Sequence, residues 1–136
     1  MSFAAPKFVD MAKVKNAGYV IKNEREDILT MAISDDDSAI IISFSTANIS
    51  SKEISDLLKS NALRNSENFI ATLDNNRAYI NEFEAQGFYS YMIVPKKEKV
   101  KNQHTYATYV SSKKLSKNDL SKITDAILDE AESYIK

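Results

Sequence analysis

Ala39-Ile40-Ile41-Ile42-Ser43-Phe44 is a short, continuous apolar run that is rich in β-branched isoleucine. Such a run is typical of a strand buried on both faces, because a strand with one wet face would alternate with polar residues. It therefore predicts the central strand of a sheet, with the rest of the chain packed around it. A chain of 136 residues, 43% of them hydrophobic and 27% charged, can fold as one domain with a real core.

The segments around this run carry further strand and turn signals. Residues 28–33 predict a strand, and Asp35-Asp36-Asp37 predicts the turn that joins it to the central strand as a hairpin. More strands are predicted at residues 69–73, 77–86, 88–94 and 105–110. The segment 77–86 is assigned to a strand although Tyr79, Ile80 and Phe83 also have helical spacing.

Three segments predict helices. The first covers residues 4–17 and is followed by Gly18 in the position of a C-terminal capping glycine. The second begins after Ser50, which forms a capping box with Glu53, and the third begins after Ser116. The apolar stripe predicted for the second helix consists of Ile54, Leu57, Leu58 and Ala62.

These elements predict a single α+β domain over residues 1–136. Its mainly antiparallel sheet of about five to six strands would be flanked by N-terminal, middle and C-terminal helices, since neighbouring strands alternate with helices along the chain. The order of elements is similar to that of small secretion chaperones of the type III class and of roadblock-like dimerising modules. This similarity is one of layout.

Composition excludes several classes of function. The chain has no cysteine, so disulfides and cysteine-based metal sites are excluded. With only two glycines it can build neither a P-loop nor a dinucleotide-binding fingerprint. It lacks the run of roughly 20 apolar residues that a membrane span needs. We therefore expect no cofactor, no metal, no membrane contact and a location in the cytoplasm.

The candidates for catalysis are few. His104 is the sole histidine, so a Ser/His/acid triad would depend on it, and we expect it to be an exposed or edge residue instead. The Asp35–Asp37 turn lacks the glycine of a calcium loop and is expected to be solvated. Glu82 and Glu84 are expected at the surface, because unpaired glutamates are seldom buried. These expectations argue against an enzyme.

The strongest candidate for binding is the predicted hairpin of residues 88–110. Its strands are rich in tyrosine and its loop is rich in lysine, and residues 96–114 hold six lysines against Glu98 as the one acidic residue. The partner-binding residues predicted here are Tyr89, Tyr91, Lys96, Lys97, Lys99, Lys101, Tyr106 and Tyr109. Aromatic side chains beside lysines can stack on bases and neutralise phosphates, although aromatics are common in strands for packing alone.

We expect a non-catalytic protein-interaction module that binds a protein partner through a sheet face or edge. An adaptor, a secretion-chaperone-like protein and an inhibitor or immunity protein all fit this description, and a homodimer is left open. The alternative is a single-stranded nucleic-acid-binding protein that uses the 88–110 hairpin. This alternative is weaker because the first 95 residues are acidic on balance and the signature of RNA-recognition motifs is missing.

Overall fold

The computed structural model describes residues 5–136. Its strands are β1 (Val20–Arg25), β2 (Ile28–Ser34), β3 (Ser38–Thr46), β4 (Asn68–Thr72), β5 (Ala78–Ala85), β6 (Phe88–Pro95) and β7 (Gln103–Ser111). Its helices are α1 (Met11–Asn16), α2 (Ser51–Arg64) and α3 (Lys117–Ser133). The strands form one antiparallel sheet in the order β1-β2-β3-β7-β6-β5-β4. The α+β class is confirmed, and the seven-stranded sheet is slightly larger than predicted.

The N-terminal helix is shorter than the predicted span of residues 4–17. Helix α1 begins after Asp10, whose side chain accepts a hydrogen bond from the backbone N–H of Lys13. The preceding Val9 is bridged to Ile135 beside the end of α3, which holds this segment out of the helix. Residue 4 itself lies outside the described residues. Gly18 follows the helix with a positive φ of 86°, as a capping glycine does.

One face of the sheet is covered by α1 and α3. A row of paired residues runs across five strands on this side and is fully buried: Met31, Ile42, Ala107, Ile93 and Ile80. Val14 of α1 and Ile127 and Leu128 of α3 pack in the same clusters. Burial of this continuous apolar layer supplies the main driving force for folding.

Strand β3 covers the predicted run, but the middle strand of the sheet is its neighbour β7, and β3 is not buried on both faces. Ile42 and Phe44 point towards α3 and are buried, whereas Ala39 and Ile41 point to the other side and are partly exposed. The prediction of burial on both faces was wrong because the run of isoleucines masks the alternation between Ser43 and Ser45 on one face and Phe44 on the other. The Asp35 turn is confirmed, since its carboxylate accepts hydrogen bonds from the backbone of Asp37 and Ser38.

Helix α2 packs on the opposite side of the sheet, against β5 and β6, and also contacts β4. The predicted capping box is present, with Ser50 accepting from the Glu53 N–H and Glu53 accepting from the Ser50 N–H. The predicted stripe is only partly right. Ile54 and Ala62 are buried, but Leu57 is 53% exposed. Ser51 and Ser55 are buried instead.

The buried serines of α2 lie over a polar position of the sheet. Asn81 of β5 donates a hydrogen bond from its side-chain amide to the Ser55 hydroxyl at 3.3 Å. The Thr72 hydroxyl donates to the side-chain oxygen Oδ1 of Asn81 at 3.0 Å. Within residues 5–136, no helix has the length and apolar character needed to cross a membrane.

Candidate functional site

The four tyrosines of the 88–110 hairpin do not form one surface. Tyr91 pairs with Tyr109 across β6 and β7, so both lie on the α3 side with Tyr89, whereas Tyr106 lies on the α2 side. Tyr91 is fully buried beneath α3. The structure therefore separates the tyrosines that the sequence placed together, because side chains alternate between the faces of a strand.

Tyr91 is the centre of a buried polar network. Its hydroxyl donates to Glu82 Oε2 at 2.6 Å and accepts from the backbone N–H of Leu115 at 2.8 Å. Lys114 Nζ lies 3.9 Å from Glu82 Oε1. Burial and the hydrogen bond to Glu82 raise the pKa of Tyr91 above the ordinary range of a phenol. This arrangement anchors the segment before α3 to the sheet.

The surface position predicted for Glu82 is wrong, since the residue is 2% exposed. The sequence shows nothing to predict the burial, because Tyr91 and Lys114 become its neighbours only through strand pairing and the docking of the chain before α3. Glu84, the other carboxylate in this pair, is partly exposed.

The lysines of the 96–103 loop are spread over different partners. Lys99 Nζ forms an ion pair with Glu132 of α3 at 3.1 Å. Lys96 Nζ lies 5.4 Å from the ring centre of Tyr79, on the other side of the sheet. Lys97 and Lys101 are exposed. The loop thus presents a dispersed positive charge, part of which is neutralised by acidic residues of α3.

His104 is buried and not exposed or at an edge as predicted. It lies in β7, the middle strand of the sheet, and is 4% exposed. Its Nε2 is 3.1 Å from the backbone oxygen of Ala47 and 3.4 Å from Glu98 Oε2. Glu98 also accepts a hydrogen bond from the backbone N–H of Asn102 at 2.8 Å.

His104 and Glu98 also line a cavity of about 80 Å³ at this end of the sheet. The contacts of His104 with Glu98 and with Ala47 tie β7 to the 96–102 loop and to the chain before α2. Among residues 5–136, no three histidine, aspartate or glutamate side chains converge as metal ligands would.

The α2 side of the sheet is covered over only part of its width. A second row of paired residues runs across it: Val20, Ala32, Ile41, Thr108, Met92 and Asn81. Asn81 is buried under α2, but Ala32, Ile41 and Thr108 are partly exposed and Val20 is 57% exposed. We define the partly exposed surface of β1, β2, β3 and β7 on this side as the open face. It consists of Val20, Ile28, Thr30, Ala32, Ala39, Ile41, Tyr106, Thr108 and Val110, and the exposed Arg25, which pairs with Ile28, lies at its β1 edge.

The open face is almost free of charge. On β2, β3 and β7, twelve positions point to this side, and none is aspartate, glutamate, lysine or arginine. A chain that is 27% charged would be expected to place about three there. Small apolar and hydroxyl side chains fill the surface, and burial raises the pKa of Tyr106, which hydrogen-bonds Ser43. An uncharged exposed surface of this kind is characteristic of the core of an interface.

The two edges of the sheet are less suited to binding. Both edge strands carry a β-bulge, between Ile21 and Asn23 in β1 and between Phe69 and Ala71 in β4. A bulge interrupts the regular row of backbone N–H and C=O groups that an added strand would need. The open face is therefore the better candidate for a binding surface. Of the residues predicted from the sequence, it includes Tyr106.

The sequence analysis missed the rest of this surface. A usable signal is the alternation within β3, where Ala39, Ile41, Ser43 and Ser45 share one face and Ile40, Ile42 and Phe44 share the other.

Comparison of the chain with protein families, curated proteins and solved structures finds no match.

Proposed function

We propose that this chain is a non-catalytic protein-interaction module that binds a protein partner through the open face and acts in the cytoplasm. The observation that carries the proposal is the uncharged, partly exposed surface that β2, β3 and β7 contribute to the open face. Surfaces of this composition gain free energy when another protein covers them, because apolar area leaves water without leaving charges unpaired. An adaptor, a chaperone-like protein and an inhibitor would all use such a surface.

Glu82 and His104, two titratable groups buried in the sheet, each contact other parts of the fold. Glu82 accepts a hydrogen bond from Tyr91, and His104 is fixed against Ala47 and Glu98. A general base needs a path to a substrate proton, and the side chains of Glu82 and His104 are only 2% and 4% exposed.

The alternative, binding of single-stranded nucleic acid, has less support in the geometry. Stacking on bases needs exposed aromatic rings close to free cations. Tyr91 is buried, Tyr106 is on the other side of the sheet from Tyr89 and Tyr109, and Lys99 is paired with Glu132.

Site-specific photocrosslinking in living cells of the source organism tests the proposal. A photoreactive phenylalanine analogue is placed at Ile41, in the middle of the open face, and in a control at Val100, which is exposed in the 96–102 loop. We expect a discrete crosslinked protein from position 41 and none of the same mass from position 100. If position 41 gives no crosslinked protein while the variant is folded and expressed, the proposed function is wrong.

A further inference from the structure

We infer that the protein covering the open face is a second copy of this chain, packed sheet against sheet about a two-fold axis. This inference rests on the proposed function, because it names the partner of the same surface. Three properties of the structure support it: the stepped shape of the α2 side, the absence of charge on the β2, β3 and β7 strands of the open face, and the area of that face.

The α2 side of the molecule has the shape of a step. Helix α2 stands on β5 and β6, and the four strands beside it form the lower level. A helix is about 10 Å thick, and two packed sheets are also separated by about 10 Å. The sheet of a second copy would therefore lie in the same layer as α2 and fill the step.

A two-fold axis makes this fit reciprocal. Suppose that the axis lies between the two sheets, parallel to the strands and above the boundary between β2 and β3. The partner's β1 then lies over β7 and its β2 over β3. The exposed Val20 of each β1 then comes next to the flank of the other copy's α2. This apolar side chain at the border of the step would be covered by the same contact.

The electrostatics of the open face suit a like partner. In a two-fold interface every group meets the same surface of the other copy, so any net charge would be opposed by a like charge near the axis. The positions of β2, β3 and β7 on the open face hold no aspartate, glutamate, lysine or arginine, so no like charges face each other across these three strands. A strongly charged partner would find no complementary groups there.

The area is sufficient for a dimer of moderate stability. Four strands spaced about 4.8 Å apart and about 25 Å long give a footprint of about 480 Å² on each copy. The two copies together would bury about 1,000 Å², which is near the lower limit for a specific interface, and the α2 flanks add to it. We therefore expect the dimer to dissociate into monomers when the protein is diluted to micromolar concentration or below.

Sedimentation velocity of the purified chain tests this inference. We expect twice the monomer mass of 15.3 kDa at about 100 µM and progressive dissociation on dilution. Ile41→Lys places a charge in the middle of the open face of both copies and should weaken the dimer at least tenfold. Val100→Lys makes the same change at an exposed site elsewhere and should leave the dimer intact.

A charge-exchange experiment separates a lost contact from a damaged fold. Ile41→Lys and Ile41→Glu should each be monomeric and folded by circular dichroism, and an equimolar mixture should form a mixed dimer. A monomeric wild type at about 100 µM overturns the inference. So does a dimer that survives Ile41→Lys, or one that Val100→Lys also disrupts. A monomeric chain that still crosslinks to another protein from position 41 in cells would contradict the inference that the partner is a second copy of this chain. It would leave the proposed function standing.

Discussion

Replacing Tyr91 by phenylalanine removes one hydroxyl group from the interior and tests the buried network directly. In the wild type that hydroxyl donates to Glu82 Oε2 at 2.6 Å and accepts from the Leu115 N–H at 2.8 Å. The phenylalanine ring fills the same space, so packing of the apolar part is preserved. The loss of stability should therefore come almost entirely from the two hydrogen bonds.

The expected cost follows from the partners that are left behind. A hydrogen bond to a buried carboxylate contributes about 1.5–3 kcal/mol, and an unsatisfied buried N–H costs about 1–3 kcal/mol. Because the two effects share one site, we expect a combined loss of about 3 kcal/mol and not their full sum. Against a total stability of roughly 5–15 kcal/mol this is a large change, equivalent to about 10 °C in the melting temperature.

Urea titration of the wild type and the variant measures this loss as a shift of the unfolding midpoint. Tyr89→Phe is the matched control, because Tyr89 lies on the same strand and face but is only partly buried. The double variant Tyr91→Phe/Glu82→Leu should recover part of the stability, since removing both polar partners is less costly than leaving one unpaired. A Tyr91→Phe midpoint equal to that of Tyr89→Phe would refute the network as described.

The same network predicts a dependence on alkaline pH. Burial and Glu82 raise the pKa of Tyr91 above its ordinary value of about 10. The stabilising contribution of the neutral phenol is thus complete below that value and is lost as the pH rises towards the folded-state pKa. The difference in stability between wild type and Tyr91→Phe should consequently shrink above a pH of about 10.

Three shorter predictions follow. Ile42→Ala should lower the free energy of unfolding by about 2–5 kcal/mol and Ile41→Ala by much less, because only Ile42 is fully buried. A denaturant titration at low protein concentration measures both losses, and equal losses would contradict the exposure of the open face. Ser50→Ala should cost about 1 kcal/mol by the same measurement, since it removes the α2 cap, and unchanged stability would contradict the capping box. Fluorescence anisotropy at about 0.15 M salt should show no micromolar binding to single-stranded DNA or RNA. Tight binding that is lost when the four lysines of the 96–103 loop become glutamate would favour the nucleic-acid alternative.

The features that could be predicted from the sequence are those that depend on near neighbours. The cap of α2 needs only Ser50 and Glu53, three residues apart, and both hydrogen bonds are present. The Asp35 turn likewise depends on groups within three residues. Strand β5 was identified although its spacing also suited a helix. Local hydrogen bonding and alternation can be recognised within a short window of sequence.

The features that were missed depend on register and on which strand lies next to which. Glu82 is buried because β5 pairs with β6 so that Tyr91 stands opposite it. His104 is buried because β7 takes the middle of the sheet. Neither fact is encoded within a short window of sequence. The predicted hairpin 88–110 is confirmed as a pair of strands, and its register places Tyr106 on the opposite face of the sheet from Tyr89, Tyr91 and Tyr109.

The contrast between the two outer surfaces of the fold is the strongest argument for a function of the open face. The exposed side of α3 carries Lys122, Asp125, Asp129 and Glu130, as expected of a surface that stays in water. The open face is partly exposed as well, yet the positions of β2, β3 and β7 on this face carry no charged residue. Uncharged sheet surfaces favour association of one chain with another, and the bulges in β1 and β4 oppose association at the edges. This contrast between the edges and the open face supports the proposal that the fold associates through that face.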